Sequence, residues 1–178
     1  RFGWDIVRDM VTINGQRFSK EEVKSITLDG IMTVESDFGI SKSEKIKLTR
    51  FLFPSTKKAA YCEKYVVQNT GQNQIMVEVP DAKSIITTDA EKGVYGEYKI
   101  EATVTGVIGK MLQPEDSIVF YADFKAYKEN DLSEIVNIED ELLSRRILIN
   151  ELWSKAVLET PDNTINTMYA FAKIRGAE

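Results

Sequence analysis

Lys45-Ile46-Lys47-Leu48-Thr49-Arg50-Phe51-Leu52-Phe53-Pro54, followed after a short break by Tyr61-Cys62-Glu63-Lys64-Tyr65-Val66-Val67, is the stretch whose reading decides the fold. In the first segment Ile46, Leu48, Arg50 and Leu52 alternate with Lys45, Lys47, Thr49 and Phe51. In the second Tyr61, Glu63, Tyr65 and Val67 alternate with Cys62, Lys64 and Val66. Successive side chains of a strand point to opposite faces, so a period of two predicts half-buried strands. Pro54 has no backbone N–H to give to a ladder and is expected to end its strand. Outward from this pair the pattern repeats at Ile75-Val77-Val79 and at Ile100-Ala102-Val104.

Turn-forming residues separate the runs. Asn14-Gly15 and Asp29-Gly30 tolerate positive φ at two successive positions, as two-residue type I′ hairpins require. Asn69-Thr70-Gly71 predicts another short hairpin, between the Tyr61–Val67 run and the Ile75–Val79 run. About nine or ten strands at roughly 8–12-residue spacing, with no helical crossover between them, predict a large two-sheet antiparallel sandwich over residues 4–128.

After Asn130 the texture turns helical, which divides the chain into a sandwich over 1–130 and a helical part over 131–178. Residues 1–128 carry 18 basic and 18 acidic side chains, whereas 129–162 carry 3 basic and 9 acidic. Asn137 is the expected N-cap of a helix lying within 137–158, with Glu139, Asp140 and Glu141 at the positive end of its dipole. Its apolar stripe reads Ile138, Leu142, Ile149, Leu152 and Ala156, widened by Leu143, Ile147 and Leu148. Thr160-Pro161 predicts the cap and first residue of a second helix, whose apolar face is Ile165, Met168, Tyr169, Ala172 and Ile174. That face exceeds what a short surface helix needs. The segment is therefore expected to fray, or to lie on the sandwich or on a second copy of the chain. Both ends of the sequence fall within patterned segments, the expectation for a piece of a longer protein.

Composition closes off much chemistry. With no histidine among 178 residues, Ser-His-Asp and Cys-His catalysis and His-bearing zinc sites are excluded within the chain. The single cysteine, Cys62, forms no intrachain disulfide or thiolate cluster and reads as a buried structural thiol. Neither a G-x-G-x-x-G nor a G-x-x-x-x-G-K-[ST] loop is present, so no phosphate-cradling turn and no cofactor or metal is expected. A net charge of −5 argues against a nucleic-acid partner. No apolar run reaches the roughly 18 residues of a membrane span.

The remaining acid–base candidates are carboxylates. Glu97 with Glu101, or Asp116 with Asp123, are the pairs considered for glycosidic chemistry, against the plainer reading of solvated strand-face charges. Lys42, Lys45, Lys47, Arg50, Lys57 and Lys58 form the densest basic stretch and read as a solvated sheet face. Trp4 offers a stacking face for a sugar ring, with Asp5 beside it to hydrogen-bond hydroxyls; Trp153 offers a second such ring. Packing at a sandwich edge for Trp4, and anchoring of the helix to the sheet for Trp153, are the plainer readings.

Several segments taken together carry a resemblance. They are Phe2-Gly3-Trp4-Asp5, Arg8-Asp9-Met10-Val11-Thr12, Thr27-Leu28-Asp29-Gly30 and Leu48-Thr49-Arg50-Phe51-Leu52-Phe53-Pro54-Ser55. To these belong Val67-Gln68-Asn69-Thr70-Gly71, Trp153-Ser154-Lys155, Leu158-Glu159-Thr160-Pro161-Asp162 and Ala170-Phe171-Ala172-Lys173-Ile174-Arg175. The chain resembles the N-terminal β-sandwich region of bacterial six-hairpin glycosidases of the glycogen-debranching and rhamnosidase-related kind. The resemblance implies a supersandwich of galactose-mutarotase-like shape, then linker helices leading into an α/α toroid that holds the catalytic acid and base. It transfers no catalytic residue onto this chain. Its implied partners are the protein's own C-terminal catalytic domain and the carbohydrate substrate, and it tilts the location toward periplasmic or secreted. The leading expectation is thus a non-catalytic domain of a glycoside hydrolase, with a stand-alone carbohydrate-binding module as the alternative and a carboxylate-only mutarotase-type enzyme as a disfavoured third.

Overall fold

The computed structural model describes residues 7, 10–17, 20–39, 45–92, 95–128, 131 and 133–177. Among them eleven strands form two sheets. A seven-stranded sheet runs in the order β3 (Glu21–Leu28), β4 (Met32–Gly39), β5 (Lys45–Pro54), β6 (Ala60–Asn69), β11 (Ser117–Lys128), β9 (Tyr98–Thr105) and β8 (Ala82–Thr87). A four-stranded sheet runs β10 (Val107–Leu112), β7 (Ile75–Val79), β1 (Thr12–Ile13) and β2 (Gln16–Arg17). Every neighbouring pair is antiparallel. The expected mainly β, two-sheet sandwich followed by helices is the architecture found.

The alternation in β5 and β6 has the predicted consequence. Ile46 and Leu48 of β5, Tyr65 and Val67 of β6 and Ile118, Phe120 and Ala122 of β11 turn inward. They meet Ile13, Ile75, Val77, Val79 and Leu112 of the smaller sheet in one core. Each such valine, leucine, isoleucine or phenylalanine contributes about 1.5–3 kcal/mol by leaving water. Tyr65 and Phe120, on neighbouring strands, stack with ring centroids 4.6 Å apart. Pro54 closes β5 as expected, paired with Tyr61.

The opposite face of β5 and β6 is also covered. Phe53 and Cys62 point outward and pack under Ile138, Leu142 and Ile149 of helix α1 (Ile138–Ser154). Asn137 caps α1 as predicted: its side-chain oxygen accepts from the Glu139 and Asp140 N–H groups. The acidic first turn does more than complement the dipole. Glu139 accepts from the Tyr121 hydroxyl at 2.8 Å and pairs with Lys64 Nζ at 2.6 Å. Glu141 accepts from Ser55 Oγ at 2.7 Å. These bonds pin the helix to the sheet it covers.

Four expectations are corrected. Asn14-Gly15 is the predicted hairpin, with φ of 49° and 75°, but Asp29-Gly30 is not a two-residue turn. Leu28 pairs with Met32, leaving a loop of Asp29, Gly30 and Ile31, because Ile31 is drawn down beneath α1. Asn69-Thr70-Gly71 closes no hairpin. It carries the chain from the larger sheet to the smaller, with Asn69 buried and its side-chain nitrogen donating to the Asn73 and Leu112 carbonyls.

The stripe of α1 is narrower than predicted. Glu141 and Arg145 take its centre, while Leu143 and Ile147 are 59% and 50% exposed and Ala156 lies beyond the helix end. The guanidinium is drawn inward by the Gly30 carbonyl, which accepts from Arg145 Nε at 3.0 Å. Finally, helix α2 (Asn163–Ala177) is capped by Asp162 rather than Thr160. The Asp162 carboxylate accepts from the Thr164 N–H at 2.8 Å, while the Thr160 hydroxyl is engaged with Asn166 and the Asp162 backbone. On α2 only Ile174 is buried; Ile165, Met168 and Phe171 remain exposed.

Candidate functional site

The half of the large sheet that α1 leaves open carries a dense group of ionisable side chains. β11 and β9 run antiparallel with Lys125 opposite Glu101 and Asp123 opposite Thr103, so the three ionisable groups share one face. Lys83 reaches the same point from β8, whose Ile85 faces Glu101. Glu101 Oε1 lies 3.0 Å from Lys83 Nζ and 3.2 Å from Lys125 Nζ, and its other oxygen accepts from the Tyr127 hydroxyl at 3.0 Å. Lys125 Nζ also stands 3.3 Å from Asp123 Oδ2, although no hydrogen bond reaches that oxygen.

The two carboxyls are driven apart in pKa. Burial works to raise Glu101, which is only 3% exposed, but Lys83, Tyr127 and Lys125 outweigh it and bring the group down to about 2. Asp123, 8% exposed, is pushed up by burial and by the neighbouring Glu101 charge, only partly offset by Lys125. Split carboxyl pKa values are what acid–base pairs exhibit. Here, however, both carboxyls are buried and the stronger acid is held by two ammoniums and a phenol. The group therefore braces Lys125 and Tyr127 against the sheet.

The side chains it fixes form one wall of a cavity of about 480 Å³, which also involves Lys58, Tyr98, Lys128, Asp131, Glu134 and Val136. Lys128 Nζ stands 5.9 Å from the centre of the Tyr98 ring. Lys58 Nζ donates to the Ile135 carbonyl at 2.7 Å, tying the rim to the chain that leads into α1.

The pairs considered in sequence are thus rearranged. Glu101 and Asp123 come together, each leaving its expected partner. Asp116 is a turn residue whose Oδ2 accepts from the Gln113 N–H, and Glu97 lies in the connection before β9. Glu101 and Asp123 are not solvated strand-face groups, because they are buried beside Lys125 and, for Glu101, Lys83 and Tyr127, whereas Asp116 is exposed at its turn. Lys83, Lys125 and Tyr127 went unremarked, although Asp123-x-Lys125-x-Tyr127 at a period of two already placed three polar groups on one strand face.

Trp4 and Asp5, the carbohydrate-binding candidates, lie outside the described residues, as does Lys42. Trp153 is 38% exposed at the end of α1, beside a shallow groove with Ile31 and Phe51, so it anchors the helix only in part. The basic stretch divides by strand parity. Lys47 pairs outward with Glu35 at 2.6 Å, whereas Arg50 turns inward to Glu21 and Ser36 and is not part of a solvated face. Cys62 is fully buried, and burial together with Glu141 and Asp123 pushes its thiol up to about 12. Among the described residues no three His, Cys, Asp or Glu side chains gather as they would to hold a metal ion, and no helix is long and apolar enough to cross a membrane.

No protein-family model matches the chain, and no curated protein matches it.

Proposed function

We propose that the chain is a non-catalytic β-sandwich domain of a glycoside hydrolase of the glycogen-debranching type, packing beside an α/α toroid and shaping one wall of the substrate cleft. The observation that carries this reading is the state of α2. It is held to the sandwich through Ile174, yet it turns Ile165, Met168 and Phe171 to solvent, with Met168 67% exposed. A helix with an unpaired apolar side, following a two-sheet sandwich, is what the resemblance expects at the junction with helical hairpins. That unpaired side disfavours a stand-alone carbohydrate-binding module, which has no use for it. The braced, ammonium-bound state of Glu101 supports a role without catalysis.

The reading is tested by assaying the purified chain on glycogen, maltooligosaccharides and aryl glycosides. No hydrolysis is expected. Turnover abolished by a single Glu or Asp substitution in this chain would overturn it. Hydrogen exchange provides the second arm: the amides of 163–177 are expected to be better protected in the intact enzyme than in this chain.

A further inference from the structure

Among the described residues the seven-stranded sheet ends in two open edges, β3 and β8, and only one of them is protected. An open edge invites another strand, and folds blunt it with charges, prolines or bulges. β3 has a register shift between Val23 and Ser25 and carries Glu21, Glu22 and Lys24. β8, Ala82-Lys83-Ser84-Ile85-Ile86-Thr87, has neither a register shift nor a proline. Its one charge, the Lys83 ammonium, is turned back onto Glu101 at 3.0 Å. Ile85 and Ile86, on opposite faces, are 49% and 43% exposed. We infer that a second copy of the chain adds at this edge, β8 to β8, continuing the sheet across a two-fold axis. The inference is independent of the glycoside-hydrolase reading.

The backbone sets the register. The Thr88 N–H donates to the Tyr98 carbonyl at 2.8 Å, and Thr87 stands opposite Lys99. Bonding alternates along an antiparallel pair, so Ile86, Ser84 and Ala82 spend their N–H and C=O groups on β9 as well. Lys83, Ile85 and Thr87 turn theirs to the open edge. A two-fold axis at Ile85 sets that residue against Ile85 of the second copy, and Lys83 against Thr87 of the second copy. All three outward donors and all three outward acceptors of each strand are then satisfied.

The side chains favour a copy over a foreign strand. Ile85 meets its own equivalent on one face. On the other, Ile86 lies against Ser84 of the second copy and beside Ile100 of its own β9. No like charges meet within the ladder, because each Lys83 faces a threonine and is already paired with Glu101. Just outside it Asp81 approaches Asp89 of the second copy, but each is engaged within its own chain. Asp81 accepts from the Gly106 N–H at 2.7 Å, and Asp89 pairs with Lys92 at 3.4 Å. A two-fold contact closes on itself, so the apolar edge is covered in a dimer and the bulged, charged β3 halts growth at the far ends.

Sedimentation of the chain over a range of concentrations, with amide hydrogen exchange at each, tests the assignment. A reversible dimer is expected, in which the amides of Lys83, Ile85 and Thr87 gain protection as concentration rises. Ile85→Lys sets two ammoniums face to face and is expected to weaken the dimer about tenfold. Thr87→Pro removes an outward N–H that no bond within the chain uses, and is expected to weaken it as well, with the circular dichroism of the sheet unchanged. Ile26→Lys, on β3, is expected to leave the dimer intact. A monomer at every concentration, a dimer indifferent to both β8 variants, or dissociation by Ile26→Lys alone would overturn the inference. So would full protection of the three amides in the monomer, which would mean that the chain itself already covers β8.

Discussion

The ammonium of Lys173, on α2, donates to the Leu152 carbonyl near the end of α1 at 2.8 Å. It reaches the Lys155 carbonyl at the same distance, and α1 has no basic residue in its own last turn. The last carbonyls of a helix lack internal partners and form the negative end of its dipole. A charge borrowed from the following helix answers both needs and ties the two helices together.

Replacing Lys173 with Met is therefore expected to lower stability by about 0.5–2 kcal/mol, the worth of a partly buried cation at a helix C-terminus. Urea unfolding checks the magnitude. Hydrogen exchange should localise the loss to the end of α1 and to α2, and Lys173→Arg should recover part of it. Unchanged exchange in both helices would show that the contact is incidental.

Gly30 is the second point where helices and sheet meet. Its φ is 96°, and a Cβ there would lie 2.5 Å from Ile149 Cδ1 and 3.3 Å from Ile174 Cδ1. Gly30→Ala is expected to cost about 2–4 kcal/mol, from backbone strain plus overpacking. Gly15→Ala has the same handedness problem but open space around it, so about 1–2 kcal/mol is expected there. In an Ile149→Ala background the penalty at Gly30 should fall toward that at Gly15. Equal penalties at the two glycines in the native background would sink the packing argument.

Two buried glutamates should give stability opposite pH slopes. Glu101 is held at about 2, below its ordinary 4.5, so between those values the unfolded chain binds the proton that the native state refuses. Stability rises with pH across that window and is lost as pH falls through about 2. Glu63 is raised by burial, with its hydrogen bond from Tyr65 and the Arg50 charge offsetting only part. Above 4.5 the native state keeps a proton that the unfolded chain has released, so stability falls as pH rises toward the native value. Denaturant midpoints from pH 2 to 8 should show Glu101→Gln flattening the rising limb and Glu63→Gln flattening the falling one, to which Asp123, also raised by burial, contributes as well.

What was legible in the sequence was whatever depends on local period and local chemistry. Ile46-x-Leu48 and Tyr65-x-Val67 assign their own faces, and Asn137 caps its own helix, because strand alternation and capping need only a few neighbouring residues. What was not legible depends on distant partners. Arg145 enters the face of α1 because the Gly30 carbonyl waits there, 115 positions away. Asn69-Thr70-Gly71 has hairpin chemistry but is overruled by the sheet each flanking strand joins. The Glu101 brace draws on β8, β9 and β11, so the pairing of Glu101 with Asp123 follows from strand order and register, neither of which a single run of residues encodes.

Cys62 offers a reporter for the docking of α1. The thiol is fully buried under Ile138, Leu142 and Ile149, and its pKa is pushed up to about 12, so the native protein presents almost no reactive thiolate. Labelling by a thiol reagent must then await an opening that lifts α1 from the sheet. The bonds holding the start of the helix include Lys64 to Glu139 and Tyr121 to Glu139, beside Ser55 to Glu141. Removing the carboxylate that the first two share, with Glu139→Ala, is expected to speed labelling several-fold with little change in the global unfolding midpoint, since local opening costs less than unfolding. Leu142→Ala removes apolar contact from the same interface and should speed labelling further, at a cost of about 2–5 kcal/mol. A Lys64→Met, Glu139→Ala double variant should label no faster than Glu139→Ala alone, because the two residues share one interaction. If native Cys62 labels as fast as the unfolded chain, or if neither variant changes its rate, α1 does not cover β6 in solution.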